Sequence, residues 1–191
     1  MTSAVGTSVE KYTIKFPVLF LTNFQKKVPI YDEDKKVVGY VERFYHKLKH
    51  KILSYYFFMD KLYINVQALD KELNKIMDLV LDNTTDVKEN NRWNLTIYDD
   101  KEEHKYVFRD KSQRIDPNRY FEYENKKTPI KIVNDSAAVQ PYFYGRYNHL
   151  LAKCIHDGFS RYVEIEVYEP DYISVYEVAT VWFLLGSCLR A

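Results

Sequence analysis

Glycine is scarce in this chain: only five occur among 191 residues, at positions 6, 39, 145, 158 and 186. No segment gathers the glycines that let backbone N–H groups close around a phosphate, so a nucleotide-hydrolysing loop is disfavoured. Cysteine is scarcer still, with Cys154 and Cys188 too few for a disulfide framework, and a reducing cytoplasm is the expected location, with peripheral attachment to a membrane as the alternative. Met1, Thr2 and Ser3 open the chain without the basic and apolar regions of a secretory signal, Thr2 rules out N-myristoylation, and Arg190 and Ala191 make no prenylation box. An excess of one charge is also missing. Lys and Arg number 28 against 27 for Asp and Glu, so the whole chain exerts no long-range pull on polyanions and nucleic-acid binding is not expected.

What is present is the balance of a globular protein, 46% hydrophobic and 29% charged, in a length that suits one domain over residues 1–191 with a flexible tail over 1–9. Alternation with a period of two recurs along it. Tyr12, Ile14 and Phe16 oppose Lys11, Thr13 and Lys15; Leu62, Ile64, Val66 and Ala68 oppose Tyr63, Asn65 and Gln67. Trp93, Leu95 and Ile97 oppose Asn94, Thr96 and Tyr98, while Val163, Ile165 and Val167 oppose Tyr162, Glu164 and Glu166. Each run reads as a strand with one face in a core and one in water.

Three stretches share a hairpin grammar in which an apolar residue, a ring-bearing residue and Asp lead through a polar turn into a second β-rich run. They are Ile30, Tyr31 and Asp32 leading to Tyr40 and Val41; Ile97, Tyr98 and Asp99 leading to Tyr106 and Val107; and Ile155, His156 and Asp157 leading to Tyr162 and Val163. Antiparallel hairpins in a meander are the simplest reading. Two segments break the rhythm. Leu73, Ile76, Met77 and Val80 fall at helical spacing behind Asp70, a fitting N-cap, which predicts a short amphipathic helix over 70–81. Residues 82–91 read as an acidic loop, and Phe44, Leu48 and Ile52 fit a helix or a bulged strand equally.

The C-terminal segment predicts a helix over 171–190. Its only charged side chain between 172 and 189 is Glu177, and Val175, Val178, Val181, Trp182, Phe183, Leu184, Leu185 and Leu189 cover nearly every side. A helix apolar all round must be enclosed all round by protein or by lipid, and the run over 178–189 is short for a bilayer, so enclosure inside a β-barrel is expected, with a membrane-associated tail as the alternative.

Hairpins leading to a wholly apolar terminal helix resemble the tubby C-terminal-like superfamily, which includes the LURP-one-related and phospholipid-scramblase-like proteins. The likeness is carried by Ile30, Tyr31 and Asp32 with Val38, Gly39, Tyr40 and Val41, by the hairpin over 95–108, and by residues 162–185. It implies a closed antiparallel β-barrel of about twelve strands around a central hydrophobic C-terminal helix, in a small bacterial-type member. It also implies binding rather than catalysis, since eukaryotic tubby domains hold phosphoinositide head groups through basic residues on the barrel.

Among local clusters, Arg43, His46, Lys47, Lys49, His50 and Lys51 stand beside Tyr55, Tyr56, Phe57 and Phe58. Cations next to aromatics suit an anionic lipid surface or a partner, so Arg43, Lys47, Lys49 and Lys51 are the candidate binding residues, weighed against an ordinary solvated face. Cys154 and His156 share a strand face with His149 nearby in sequence, but no zinc set or nucleophile triad is complete, and a buried thiol is expected. Glu164 and Glu166 read as a solvated face, and Glu177 as an acid in the first, partly exposed turns of the helix, facing the barrel mouth. No cofactor and no metal is expected. The eighteen tyrosines, Tyr142 and Tyr144 beside Phe143 among them, supply rigid contact area for a protein interface. The expectation is a non-enzymatic module that binds a protein partner, with an anionic phospholipid surface as the alternative and a cysteine-dependent enzyme as the remote one.

Overall fold

The computed structural model describes residues 9–15, 27–45, 65–82, 91–99, 102–113, 116, 118–124, 126, 129–135, 139–156 and 161–189. Among the described residues twelve strands follow one another: β1 (Glu10–Lys15), β2 (Val28–Tyr31), β3 (Val37–Phe44), β4 (Asn65–Asp70), β5 (Lys75–Leu81), β6 (Arg92–Tyr98), β7 (Glu103–Asp110), β8 (Asn118–Glu124), β9 (Lys131–Asp135), β10 (Pro141–Tyr144), β11 (Leu150–Ile155) and β12 (Tyr162–Val167). Each pairs antiparallel with its sequence neighbours, and β1 pairs with β12, so the sheet closes into a barrel with no free edge. The three foreseen hairpins are β2–β3, β6–β7 and β11–β12.

Helix α1 (Val175–Leu189) runs through the lumen. It begins later than the apolar pattern suggests because Ser174 and Glu177 form a reciprocal cap. The Glu177 N–H donates to Ser174 Oγ at 3.2 Å, and the Ser174 N–H donates to Glu177 Oε2 at 3.0 Å. Fifteen residues span about 22 Å at 1.5 Å each, and no helix among the described residues is long and apolar enough to cross a membrane. The helix lies against β3, β4, β5, β11 and β12. Small inward residues on those strands, Gly39, Ala68 and Ala152, admit it, while Trp93, Phe108, Phe121, Tyr123 and Phe143 fill the lumen from β6, β7, β8 and β10. The Phe108 and Phe121 rings stack at 5.3 Å between centroids.

At Gly39 the helix comes close to the barrel wall. A Cβ there would stand 2.5 Å from the Leu69 carbonyl oxygen and 2.5 Å from Tyr176 Cε1, and the Tyr176 hydroxyl donates to the Val38 carbonyl at 2.9 Å.

The helix expected over 70–81 is instead the second arm of a hairpin. Asp70 does not cap a helix: its Oδ1 accepts the Asn74 N–H at 2.7 Å across the β4–β5 turn, and the Leu73 N–H donates to the Asp70 carbonyl at 3.1 Å. The β2–β3 turn is built identically, with Asp32 Oδ1 accepting the Lys36 N–H at 2.8 Å and the Lys35 N–H donating to the Asp32 carbonyl at 3.0 Å. Leu73 and Lys35 then hold equivalent left-handed positions, φ 71° and 61°. Asp70 thus belongs to the same hairpin grammar as Asp32, and β5 buries Met77 and Leu79 with a period of two. Asp78, facing outward between them, is satisfied by the Tyr98 hydroxyl at 2.9 Å and Lys75 Nζ at 3.2 Å. Ladders to β4 and β6 outweigh what an isolated turn or two of helix offers. The segment over 1–8, most of the loop over 82–91, and Leu48 and Ile52 lie outside the described residues.

Candidate protein-interaction surface

Strands β8 to β12 present a tyrosine-bearing outer wall, because inward Phe121, Ile132 and Phe143 force their neighbours outward. The register places Tyr120, Val133, Tyr142, Lys153, Glu166 and Lys11 in one row across five strand pairs. One step toward the mouth where the helix begins, Glu122, Lys131 and Tyr144 form the next row. The Tyr142 and Tyr144 rings stack at 6.5 Å and 15°, Lys131 Nζ lies 5.3 Å over the Tyr120 ring, and Lys153 Nζ lies 5.7 Å over that of Tyr168. Lys153 also pairs with Glu166 at 2.9 Å. Hydrogen bonds from Tyr168 and Lys153 hold the Glu166 carboxyl below its usual range, and hydrogen bonds with Tyr168 and then Glu166 raise Lys153. Charges of both signs therefore alternate with rings that packing holds in place.

Above this wall stands the β10–β11 turn. The Gly145 N–H donates to the His149 carbonyl at 2.8 Å, closing a loop that contains a 3-10 turn (Arg146–Asn148). Tyr147 at its tip is 99% exposed, and both Tyr147 and Asn148 have φ of 58°. A tyrosine in this left-handed region costs about 1 kcal/mol, and at such exposure no packing offsets it. On the wall side of the tip is a cleft of about 310 Å³ bordered by Glu122, Pro129, Lys131, Tyr147 and Asn148. On the other side a cleft of about 390 Å³ is bordered by Arg146, His149, Leu151, Glu169 and Tyr172. His149 Nε2 lies 3.0 Å from Glu169 Oε1, and Tyr172 is half exposed.

The candidate residues of the basic cluster are only partly placed. Arg43, near the end of β3 and opposite Val66, is half-buried with its guanidinium 5.2 Å over the Tyr45 ring. Lys47, Lys49 and Lys51 lie outside the described residues, as do His46, His50, Tyr55, Tyr56, Phe57 and Phe58. Cys154 is fully buried, and burial pushes its thiol up, which disfavours the thiolate. His156 and His149 flank β11 at opposite ends of the barrel. Among the described residues no group of three His, Cys, Asp or Glu gathers as for a metal.

Glu177 is in the first helical turn as expected but buried rather than partly exposed, and its partner is Lys126, at 2.6 Å. Sequence reasoning missed Lys126, the Ser174 cap and Tyr147. The spacing of Ser174 and Glu177 is a capping-box signal, and Gly145 with Asn148 is a turn signal; the reach of Lys126 across the mouth leaves no local trace.

A family profile described as the Tubby C-terminal like domain matches residues 12–188. Among solved structures, the X-ray structure of an Arabidopsis thaliana protein is similar with a TM-score of 0.50 at 12% identity, covering 97% of this chain and 94% of that one, which is a likeness of fold. No curated protein matches the sequence.

Proposed function

The chain belongs to the Tubby C-terminal like domain family, and on that premise we propose that it is a non-enzymatic binding module that engages a protein partner through the outer wall of β8 to β12 and the Tyr147 turn. The observation that carries this reading is Tyr147 itself, a wholly exposed ring held in a backbone conformation that lowers stability, beside a wall of ordered tyrosines. Strain of that kind is retained where it serves recognition. Tyrosines held by neighbours lose little freedom on binding, and a wall of mixed charge suits a protein better than a polyanion. The Cys154 thiol, fully buried in the core, is not presented to a substrate.

The test is a paired capture from the native host with wild-type protein, Tyr147→Gly and the double variant Tyr142→Ala with Tyr144→Ala. A partner retained by the wild type and lost from both variants, with unfolding midpoints at or above that of the wild type for Tyr147→Gly, supports the reading. Equal retention by all three sinks it. Salt-sensitive flotation with anionic vesicles, abolished by Lys47→Glu, Lys49→Glu and Lys51→Glu, would instead favour the lipid surface and the cluster that starts at Arg43.

A further inference from the structure

Where α1 begins, Lys126, between β8 and β9 in the chain, reaches the barrel mouth. Lys126 Nζ donates to Glu177 Oε1 at 2.6 Å and to the Tyr172 carbonyl at 3.4 Å. The same ammonium lies 5.2 Å from the centroid of the Tyr123 ring and 5.8 Å from that of Tyr106. Glu177 and Tyr123 are buried, and among the described residues the Tyr123 hydroxyl has no hydrogen-bond partner. A carboxylate, a carbonyl and two aromatic faces around one nitrogen are the elements of an ammonium-recognition cage, in which ring quadrupoles and a fixed anion replace the hydration shell of a cation.

Three walls of the cage have holds other than Lys126. Glu177 is oriented by the Ser174 N–H, Tyr123 is wedged against Phe108 with ring centroids 5.5 Å apart, and Tyr172 is anchored by its N–H to the Glu169 carbonyl at 3.0 Å. Lys126 enters from a connection on a four-carbon stem that is slightly exposed, and rotation about its own torsions withdraws it. We propose that this cage is a binding site for a primary alkylammonium group, occupied in the resting protein by Lys126 and exchangeable with an external amine. The ligand class is set by the lining: a compact cation on an alkyl stem, either a lysine side chain of another protein or a free alkylamine. This proposal is independent of the tyrosine wall and survives the loss of that reading.

The experiment uses n-butylammonium as the probe and n-butanol as its neutral isostere, on full-length wild type, Lys126→Ala, and Lys126→Ala with Glu177→Gln. Butylammonium is expected to raise the melting temperature of Lys126→Ala saturably, with no matching effect of butanol and none on the double variant. The wild type is expected to bind the amine, seen as saturable perturbation of the Tyr106 and Tyr123 ring signals by NMR. Its affinity should be about tenfold or more weaker than that of Lys126→Ala, since the internal lysine must first vacate the cage. Should Lys126→Ala fail to fold, the wild-type titration decides. No saturable ring perturbation in the wild type, or an equal effect of butanol, overturns the proposal. To separate the two sources, a lysine-containing peptide and its acetyl-lysine counterpart are compared at matched concentration. Preference for the unmodified peptide over butylammonium assigns the site to a protein lysine, and equal binding assigns it to free alkylamines.

Discussion

Substituting Gly39 by Ala tests the packing that seats the helix. The added methyl would lie 2.5 Å from the Leu69 carbonyl oxygen and 2.5 Å from Tyr176 Cε1, about 1 Å inside ordinary contact on both sides. Neither neighbour yields freely. The Leu69 oxygen is backbone of the neighbouring strand, and the Tyr176 ring is pinned by its hydroxyl on the Val38 carbonyl at 2.9 Å. Overpacking of this kind costs roughly 1–3 kcal/mol, loss of the tyrosine hydrogen bond adds about 1, and replacing a strand glycine returns roughly 0.5–1. The net expectation is a loss of about 1–3.5 kcal/mol, or roughly 2–14 °C in melting temperature for a domain of this size. Urea unfolding followed by tryptophan fluorescence reads it directly, since Trp93 and Trp182 are buried in the lumen. Gly145→Ala is the control, because the atoms nearest its methyl are those of the Leu151 side chain at 3.2–3.4 Å, and a loss under about 1 kcal/mol is expected. Adding Tyr176→Leu to Gly39→Ala should recover only part of the loss, as the carbonyl contact persists. A Gly39→Ala protein within about 0.5 kcal/mol of wild type would refute the account of how the helix is admitted.

Lys126→Met strands the buried Glu177 carboxylate and should cost about 3–5 kcal/mol, whereas Lys126→Met with Glu177→Gln should recover much of it; strict additivity in a double-mutant cycle on urea midpoints would refute the pairing. The Tyr98 hydroxyl is pushed up to about 12 by burial and by its bond to Asp78. The folded state therefore holds that proton more tightly than the unfolded chain, so its contribution is fully present below about pH 10 and is lost as pH rises through about 12. Stability measured across that window should fall less steeply in Tyr98→Phe, and identical slopes would count against the Asp78 contact. Cys154 should resist alkylation in the native protein and react only as fast as the barrel opens globally; rapid labelling under native conditions would place the thiol outside the core.

Turn chemistry explains which parts of the fold were legible beforehand. Asp32 and Asp99 stand between runs that alternate cleanly, so period and punctuation agree there and the hairpins emerge. At Asp70 the same device precedes Leu73, Ile76, Met77 and Val80, whose spacing also matches a helical face, and a seven-residue strand is too short for periodicity to separate the two. The wall of β8 to β12 was legible only as single tyrosines, because the row that joins Tyr120 to Tyr142 and Lys153 is created by register across neighbouring strands.

By itself the sequence determined the class of element along most of the described chain, the outward side of each clean strand, and the enclosure of the C-terminal helix, because these follow from local alternation and from hydrophobicity on every helical face. Tertiary structure alone decided what the helix meets inside the barrel. Lys126 finds Glu177 across 51 positions and Gly39 yields to Tyr176 across the lumen, since a charge pair and a steric gap depend on distances in space that no sequence spacing encodes.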